Sequence, residues 1–92
     1  MTERRNKLDI IFDILNSIQN KRGSIKPTHL LYKSNLSHDG MKRYLGELKV
    51  SEMVSESEDA KSGKKMIHLT DKGYKFLEEY SKVKNFTESF GL

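Results

Sequence analysis

PTHLLYKSNLSHDGMKRYLGELK, Pro27–Lys49, decides how this chain folds. Pro27 suits the first position of a helix, where a backbone N–H would have no partner in any case. Leu30 and Leu31 point inward from that helix, leaving His29, Tyr32 and Lys33 on or near the surface, with Tyr32 expected to pack under the turn that follows. Ser34-Asn35-Leu36 is that turn, and Leu36 plugs the gap between two helices. Ser37 then serves as an N-cap, its hydroxyl accepting a bond from a free first-turn N–H, although Gly40 stands where Glu or Gln would complete a capping box. From His38 to Lys49, the residues Met41, Leu45 and Leu48 recur at i, i+4 and i+7 with Tyr44 beside them, the buried stripe of an amphipathic helix. The opposite side carries His38, Asp39, Lys42, Gly46 and Lys49, with Arg43 on the flank. Gly40 and Gly46 each cost about 1 kcal/mol relative to Ala in a helix interior, which points to a close approach by another backbone. Two short helices, a tight turn and cations on the free side of the second make a helix-turn-helix.

Working outward, a first helix is expected from Arg4 to Asn20. Its stripe is Leu8, Ile11, Leu15 and Ile18, widened by Ile10, Phe12 and Ile14. Such a helix is central to the core, or also touches a second subunit. Gly23 suits the C-cap, and Ser24-Ile25-Lys26 can form a very short strand. On the other side, Met53–Ser57 and Met66–Leu69 read as two strands, and Glu58–Lys65 as a polar, glycine-bearing tip between them. Thr70 caps a last helix from Asp71 to about Ser89. In it Phe76, Tyr80, Val83, Thr87 and Phe90 alternate at steps of 4 and 3, a coiled-coil-like seam, while Tyr74 and Leu77 lie on a face that covers the core. About 18 residues of helix reach roughly 27 Å, longer than one small domain requires. The distal half is expected to pair with a second copy, the alternative being a fold back over the first helix.

The expected fold is thus mainly α with a small β-hairpin, a winged helix-turn-helix spanning 1–92 as a single domain in the order helix-strand-helix-helix-strand-strand-helix. Three segments carry a resemblance: KLDIIFDIL at the start, KPTHLLYKSNLSHDGMKRYLGEL in the middle and IHLTDKGYKFLEEY near the end. Together they cover most of the chain and resemble the archaeal small winged-helix DNA-binding proteins, the ten-kilodalton nucleoid type and related archaeal regulators. LTDKGYKFLEEY is the most distinctive stretch. The resemblance implies a homodimer joined through the last helix, and DNA binding without enzymatic activity. The nucleoid members carry a long C-terminal helix in an antiparallel coiled coil, whereas this sequence runs only to Leu92.

Charge distribution supports a polyanionic partner. The formal net charge is +4 over 92 residues. Residues 21–49 hold seven cations against two anions, 50–60 hold four acids and no base, and 61–65 hold three lysines. The excess therefore sits in the helix-turn-helix and the hairpin tip, where long-range attraction would draw a polyanion. No cysteine is present, so disulfides and thiolate metal sites are excluded. No apolar run approaches the roughly 18 residues of a membrane span, and the N-terminus lacks an apolar signal core. A soluble cytoplasmic, nucleoid-associated protein without membrane contact is expected.

The residues expected to meet double-stranded DNA follow from this layout. His38 and Lys42, with Arg43 beside them, occupy the exposed start of the second helix, the part that groove-reading helices present to base edges. Lysine and arginine there can donate to guanine O6 and N7 or neutralise phosphate; Lys49 extends the strip. Asp39 repels phosphate and is better explained as a complement to the helix dipole. Thr28 and His29 open the preceding helix, where N–H groups and side chains can meet phosphate; Ser37 could add a contact, its cap role coming first. Lys61, Lys64 and Lys65 surround a flexible Ser62-Gly63, a mobile tip suited to an adjacent minor groove, provided Glu56, Glu58 and Asp59 face away. The expected dimer contacts are Phe76, Tyr80, Val83, Thr87 and Phe90. His29, His38 and His68 are scattered, with no carboxylate at ligand spacing, and neither a phosphate-cradling glycine loop nor a nucleophile elbow occurs. No catalysis, cofactor or small-molecule ligand is expected. Three functions remain open: a dimeric transcription regulator, an architectural nucleoid protein with little sequence preference, and a module that binds another protein.

Overall fold

Side-chain caps set where three of the four helices begin. The structure, a computed structural model, describes residues 6–91. Helix α1 (Lys7–Asn20) starts at Asn6, whose Oδ1 accepts from the Asp9 N–H at 2.8 Å. Strand β1 (Ser24–Ile25) leads into α2 (Pro27–Ser34), which opens on proline without a side-chain cap. Helix α3 (His38–Val50) begins at Ser37, whose Oγ accepts from the Gly40 N–H at 3.0 Å. Strands β2 (Val54–Glu58) and β3 (Lys65–Leu69) form the wing. Helix α4 (Asp71–Ser89) begins at Thr70, which accepts from the Gly73 N–H at 3.1 Å. Arg4 and Arg5, expected within the first helix, lie outside the described residues.

The three strands form one antiparallel sheet in the order β1-β3-β2. Its inner face pairs Ile25 with Ile67 and Val54 with Leu69, all four buried. Against it pack Ile11, Ile14, Leu15 and Ile18 of α1, Leu30 of α2, Met41, Leu45 and Leu48 of α3, and Leu77 of α4. Full burial of each such side chain contributes about 1.5–3 kcal/mol, so this cluster dominates the stability of the domain.

Local details differ from the sequence reading for identifiable reasons. Leu8 is 53% exposed and Ile14 is fully buried, because the α1 stripe that meets the sheet runs Ile11, Ile14, Leu15, Ile18 rather than starting at Leu8. Tyr32 is 84% exposed and does not pack under the turn; Leu36 and the buried Ser34 already fill that space. The turn itself closes on Asn35 in the left-handed region, φ 53°. The first wing strand is displaced by a residue, β2 running Val54–Glu58, and β3 begins one residue earlier, at Lys65, and ends at Leu69 as expected.

The close backbone approach expected at Gly46 is not there, since a Cβ at that position would meet open space. It occurs at Gly73 instead, where a Cβ would overlap the Met53 carbonyl oxygen and the Leu69 side chain. Helix α4 thereby lies directly on the turn that follows α3.

Candidate functional site

The outward face of α3 combines exposed cations with the N-terminal end of the helix. Met41, Leu45 and Leu48 anchor the helix, so His38, Lys42 and Arg43 are turned to solvent. Among the described residues, neither Lys42 nor Arg43 makes an ion pair. Asp39 stands in the first turn, where its charge complements the helix dipole.

A groove of about 370 Å³ runs between this face, the start of α2 and the wing. Leu31, Met41 and Leu45 give it an apolar floor, while Thr28, His38, Lys42, Lys49 and Lys65 stand around it. Five of the ten expected DNA-contacting residues are thus brought together. Arg43 lies one residue further around α3, about 100° from Lys42: it shares a concavity with Lys7, Tyr44 and Glu47 and another with Lys42 and Gly46. Lys42 and Arg43 thus border one concavity together, while Lys42 alone also reaches the groove. His29 is exposed outside the groove, and Ser37 is occupied by its cap bond.

Lys49 behaves differently from the other cations. Its Nζ lies 3.2 Å from Glu56 Oε2. Glu56 therefore faces into the groove from β2, against the expectation that the acids of this arm turn away. Helical periodicity placed Lys49 on the free side of α3 but carried no information about the strand that crosses it.

The wing tip is a closed, hydrogen-bonded turn, not the loosely held loop expected from Ser62-Gly63. Asp59 N–H donates to Lys64 O and Gly63 N–H to Asp59 O, each at 2.8 Å. The Asp59 carboxylate accepts from Lys61 N–H at 3.0 Å and from the Ser62 hydroxyl at 2.9 Å. The Lys61 N–H, then the Ser62 hydroxyl, hold the Asp59 carboxyl below its usual 3.8. This support for the tip is present above the usual carboxylate pKa and is lost as pH falls through the lowered one. Gly63 takes φ 71°, a conformation glycine reaches without strain. Lys61, Lys64 and Lys65 are exposed around this turn, without ion pairs among the described residues. Behind it, His68 hydrogen-bonds through Nδ1 with Ser24 Oγ at 2.7 Å and through Nε2 with Ser57 Oγ at 2.6 Å. This imidazole links all three strands, a structural role rather than a metal site. Among the described residues no cluster of metal-ligating side chains occurs, and no helix is long and apolar enough to cross a membrane.

Helix α4 divides the expected dimer seam. Phe76 and Tyr80 stack at 5.7 Å between ring centroids, and Tyr80 lies 5.0 Å from Phe12 of α1. The Tyr80 hydroxyl donates to the Asp9 carboxylate, which, with burial and nearby acids, pushes its pKa up to about 12. Val83, Phe86 and Phe90 are instead 61–67% exposed, with the rings of Phe86 and Phe90 5.0 Å apart. Thr87 is half-buried. The 4-and-3 stepping omitted Phe86, which sits one turn before Phe90 on the same face.

A family model described as winged helix-turn-helix matches residues 4–88. The chain belongs to the winged helix-turn-helix family. A curated relative in Methanocaldococcus jannaschii, described as an uncharacterized protein, is 31% identical over 80 residues, covering 87% of this chain and 34% of the relative. This winged helix thus spans about a third of that relative's length. Among solved structures, Sso10a-2, a DNA-binding protein from Sulfolobus solfataricus, superposes with a TM-score of 0.75 at 21% identity over 95% of this chain and 90% of the other. MepR, a transcription regulator of the Staphylococcus aureus multidrug efflux pump MepA, superposes at 0.78 with 16% identity, over 89% of this chain and 61% of its own. The winged-helix architecture is therefore shared well beyond detectable sequence similarity.

Proposed function

We propose that this winged helix-turn-helix protein binds double-stranded DNA and acts as a dimeric transcriptional regulator, without enzymatic activity, in the cytoplasm. In this reading α3 lies in the major groove and the wing tip rests on the adjacent backbone. The carrying observation is the pair of exposed, ion-pair-free cations on α3, Lys42 and Arg43, continued by three exposed lysines on an ordered wing. About 100° apart around α3, they present adjacent parts of its outer face to phosphate. The DNA-binding description of Sso10a-2 and the regulatory one of MepR support the same reading. The dimer forms through the distal half of α4, where a second copy covers Val83, Phe86 and Phe90, extending the contact toward Thr87; the DNA contacts include Thr28, His29 and Lys65.

Two measurements test this. Lys42→Ala combined with Arg43→Ala is expected to lower duplex affinity by at least about tenfold with the melting temperature unchanged, since each lost cation contact is worth on the order of 1 kcal/mol or more. Unaltered affinity removes α3 from the interface. With about four to six phosphate contacts per subunit, log K falls against log salt with a slope near −0.9 per contact. A regulator then prefers one site by about a thousandfold or more over random duplex.

A second reading, an architectural nucleoid protein, follows the resemblance of KLDIIFDIL, KPTHLLYKSNLSHDGMKRYLGEL and IHLTDKGYKFLEEY to the ten-kilodalton nucleoid type. It predicts the salt slope without the preference. Selection of bound fragments from a random duplex pool separates the two.

A further inference from the structure

Glu56 is out of place in its strand. β2 and β3 pair Val54 with Leu69, Glu56 with Ile67 and Glu58 with Lys65, and directly paired residues of an antiparallel ladder share a face. Ile67 pairs on its other side with Ile25. The row crossing the sheet is therefore Ile25–Ile67–Glu56: two buried isoleucines followed by a carboxylate on the face turned toward the helices. A valine or leucine at 56 would continue the apolar floor made by Leu31, Met41 and Leu45. β2 is an edge strand of the sheet, where an inward-facing charge also discourages pairing with another sheet, but that role does not require a partner lysine on α3. What the acid does is engage Lys49, 3.2 Å away, as the only carboxylate among the described residues lining a groove that also holds His38, Lys42 and Lys65.

We propose that Glu56 is a gate on the DNA-binding face, occupying on Lys49 the position that a backbone phosphate would take. This rests on the DNA reading above. A duplex entering the groove must displace the carboxylate from Lys49 and bring phosphate oxygens close to it. Every duplex therefore loses one favourable contact and meets one repulsion, whatever its sequence. Base contacts from His38 and Lys42 offset that penalty on the correct site and are missing on others. Being the same for every sequence, the penalty leaves the preference between sites unchanged, since specificity is a difference of affinities. The gate holds general affinity down, so that only duplexes offering base contacts to His38 and Lys42 stay bound.

Glu56→Gln tests the gate, since it keeps the shape and removes the charge. Glu79→Gln on the outer face of α4 is the control: it makes the same charge change and likewise releases a lysine, Lys75, while Lys82 keeps its bridge to Glu78. On random duplex, Glu56→Gln is expected to bind about five- to twentyfold tighter, with a salt slope steeper by about one contact; Glu79→Gln changes affinity less than twofold. Adding Lys49→Ala to Glu56→Gln takes back the part of the gain that comes from the freed lysine, and with it the added contact in the salt slope. If Glu56→Gln binds no tighter than Glu79→Gln, or more weakly, the gate is overturned. If the wild-type protein binds no duplex at low salt, the DNA reading fails separately. A heparin column then tests the gate alone: later elution of Glu56→Gln than of Glu79→Gln supports it, and equal elution overturns it.

Discussion

α3 and α4 are both amphipathic, and they leave opposite kinds of surface uncovered. α3 is anchored along its length by Met41, Leu45 and Leu48, and apart from Val50 at its end its free side is polar or charged. α4 is anchored only in its first half, by Gly73 and Leu77, with Phe76 and Tyr80 half-buried against α1. Its second half exposes Val83, Phe86 and Phe90 beside a charged face stitched by Lys82 to Glu78 and Glu79. Exposed cations are well solvated and exchange their water for phosphate oxygens. Exposed aromatics gain about 25 cal/mol for each Å² removed from water. One helix is finished except for a polyanion, the other except for an apolar cover.

The largest expected effect breaks the anchored half of α4. Gly73→Ala forces a methyl against the Met53 carbonyl and the Leu69 side chain, so a loss of about 3 kcal/mol is expected in urea unfolding, at the upper end for overpacking. A near-neutral result would mean that α4 is not fixed to the turn after α3. Next, Phe86→Glu with Phe90→Glu is expected to turn a dimer into a monomer in light scattering, while each protomer keeps its helical circular dichroism. Persistence of the dimer would place the contact elsewhere.

Tyr80 marks the boundary between the two halves of α4. Its folded pKa of about 12 exceeds the ordinary 10.0, so its contribution is full below pH 10 and is lost as pH rises toward 12. Ultraviolet titration should show one phenolate wave near pH 12 that Tyr80→Phe removes; a wave near 10 would show the link to Asp9 to be absent. The smallest effect is on α3. Gly46→Ala fills open space on an exposed helix surface and should stabilise by up to about 1 kcal/mol. A destabilising result would reveal a neighbour at that position.

Much of this was legible in the sequence because it is governed by local rules. The i, i+4, i+7 spacing of Met41, Leu45 and Leu48, the caps at Ser37 and Thr70, and Pro27 at a helix start depend on a few adjacent residues, and each is found where the sequence put it. What escaped depends on elements distant in sequence. Glu56 engages Lys49 only because β2 crosses α3, Gly73 is constrained by the backbone at Met53, and Leu8 lies outside the sheet's reach. The wing tip was misjudged for another reason: Ser62-Gly63 reads as loose until Asp59 is seen to accept from Lys61 and Ser62.

Thr70 has a mechanical consequence. Its N–H donates to Met53 O at 3.1 Å, its hydroxyl donates to Glu52 O, and the same hydroxyl accepts from Gly73. The exit of α3, the end of the wing and the root of α4 are riveted at one residue, leaving no hinge between reading head and shaft. In the proposed dimer, the span between the two heads is then geared to the angle at which the shafts cross. A few degrees of scissoring at the far tips would slide both heads along the double helix, so operator spacing could be retuned from a place that never touches DNA.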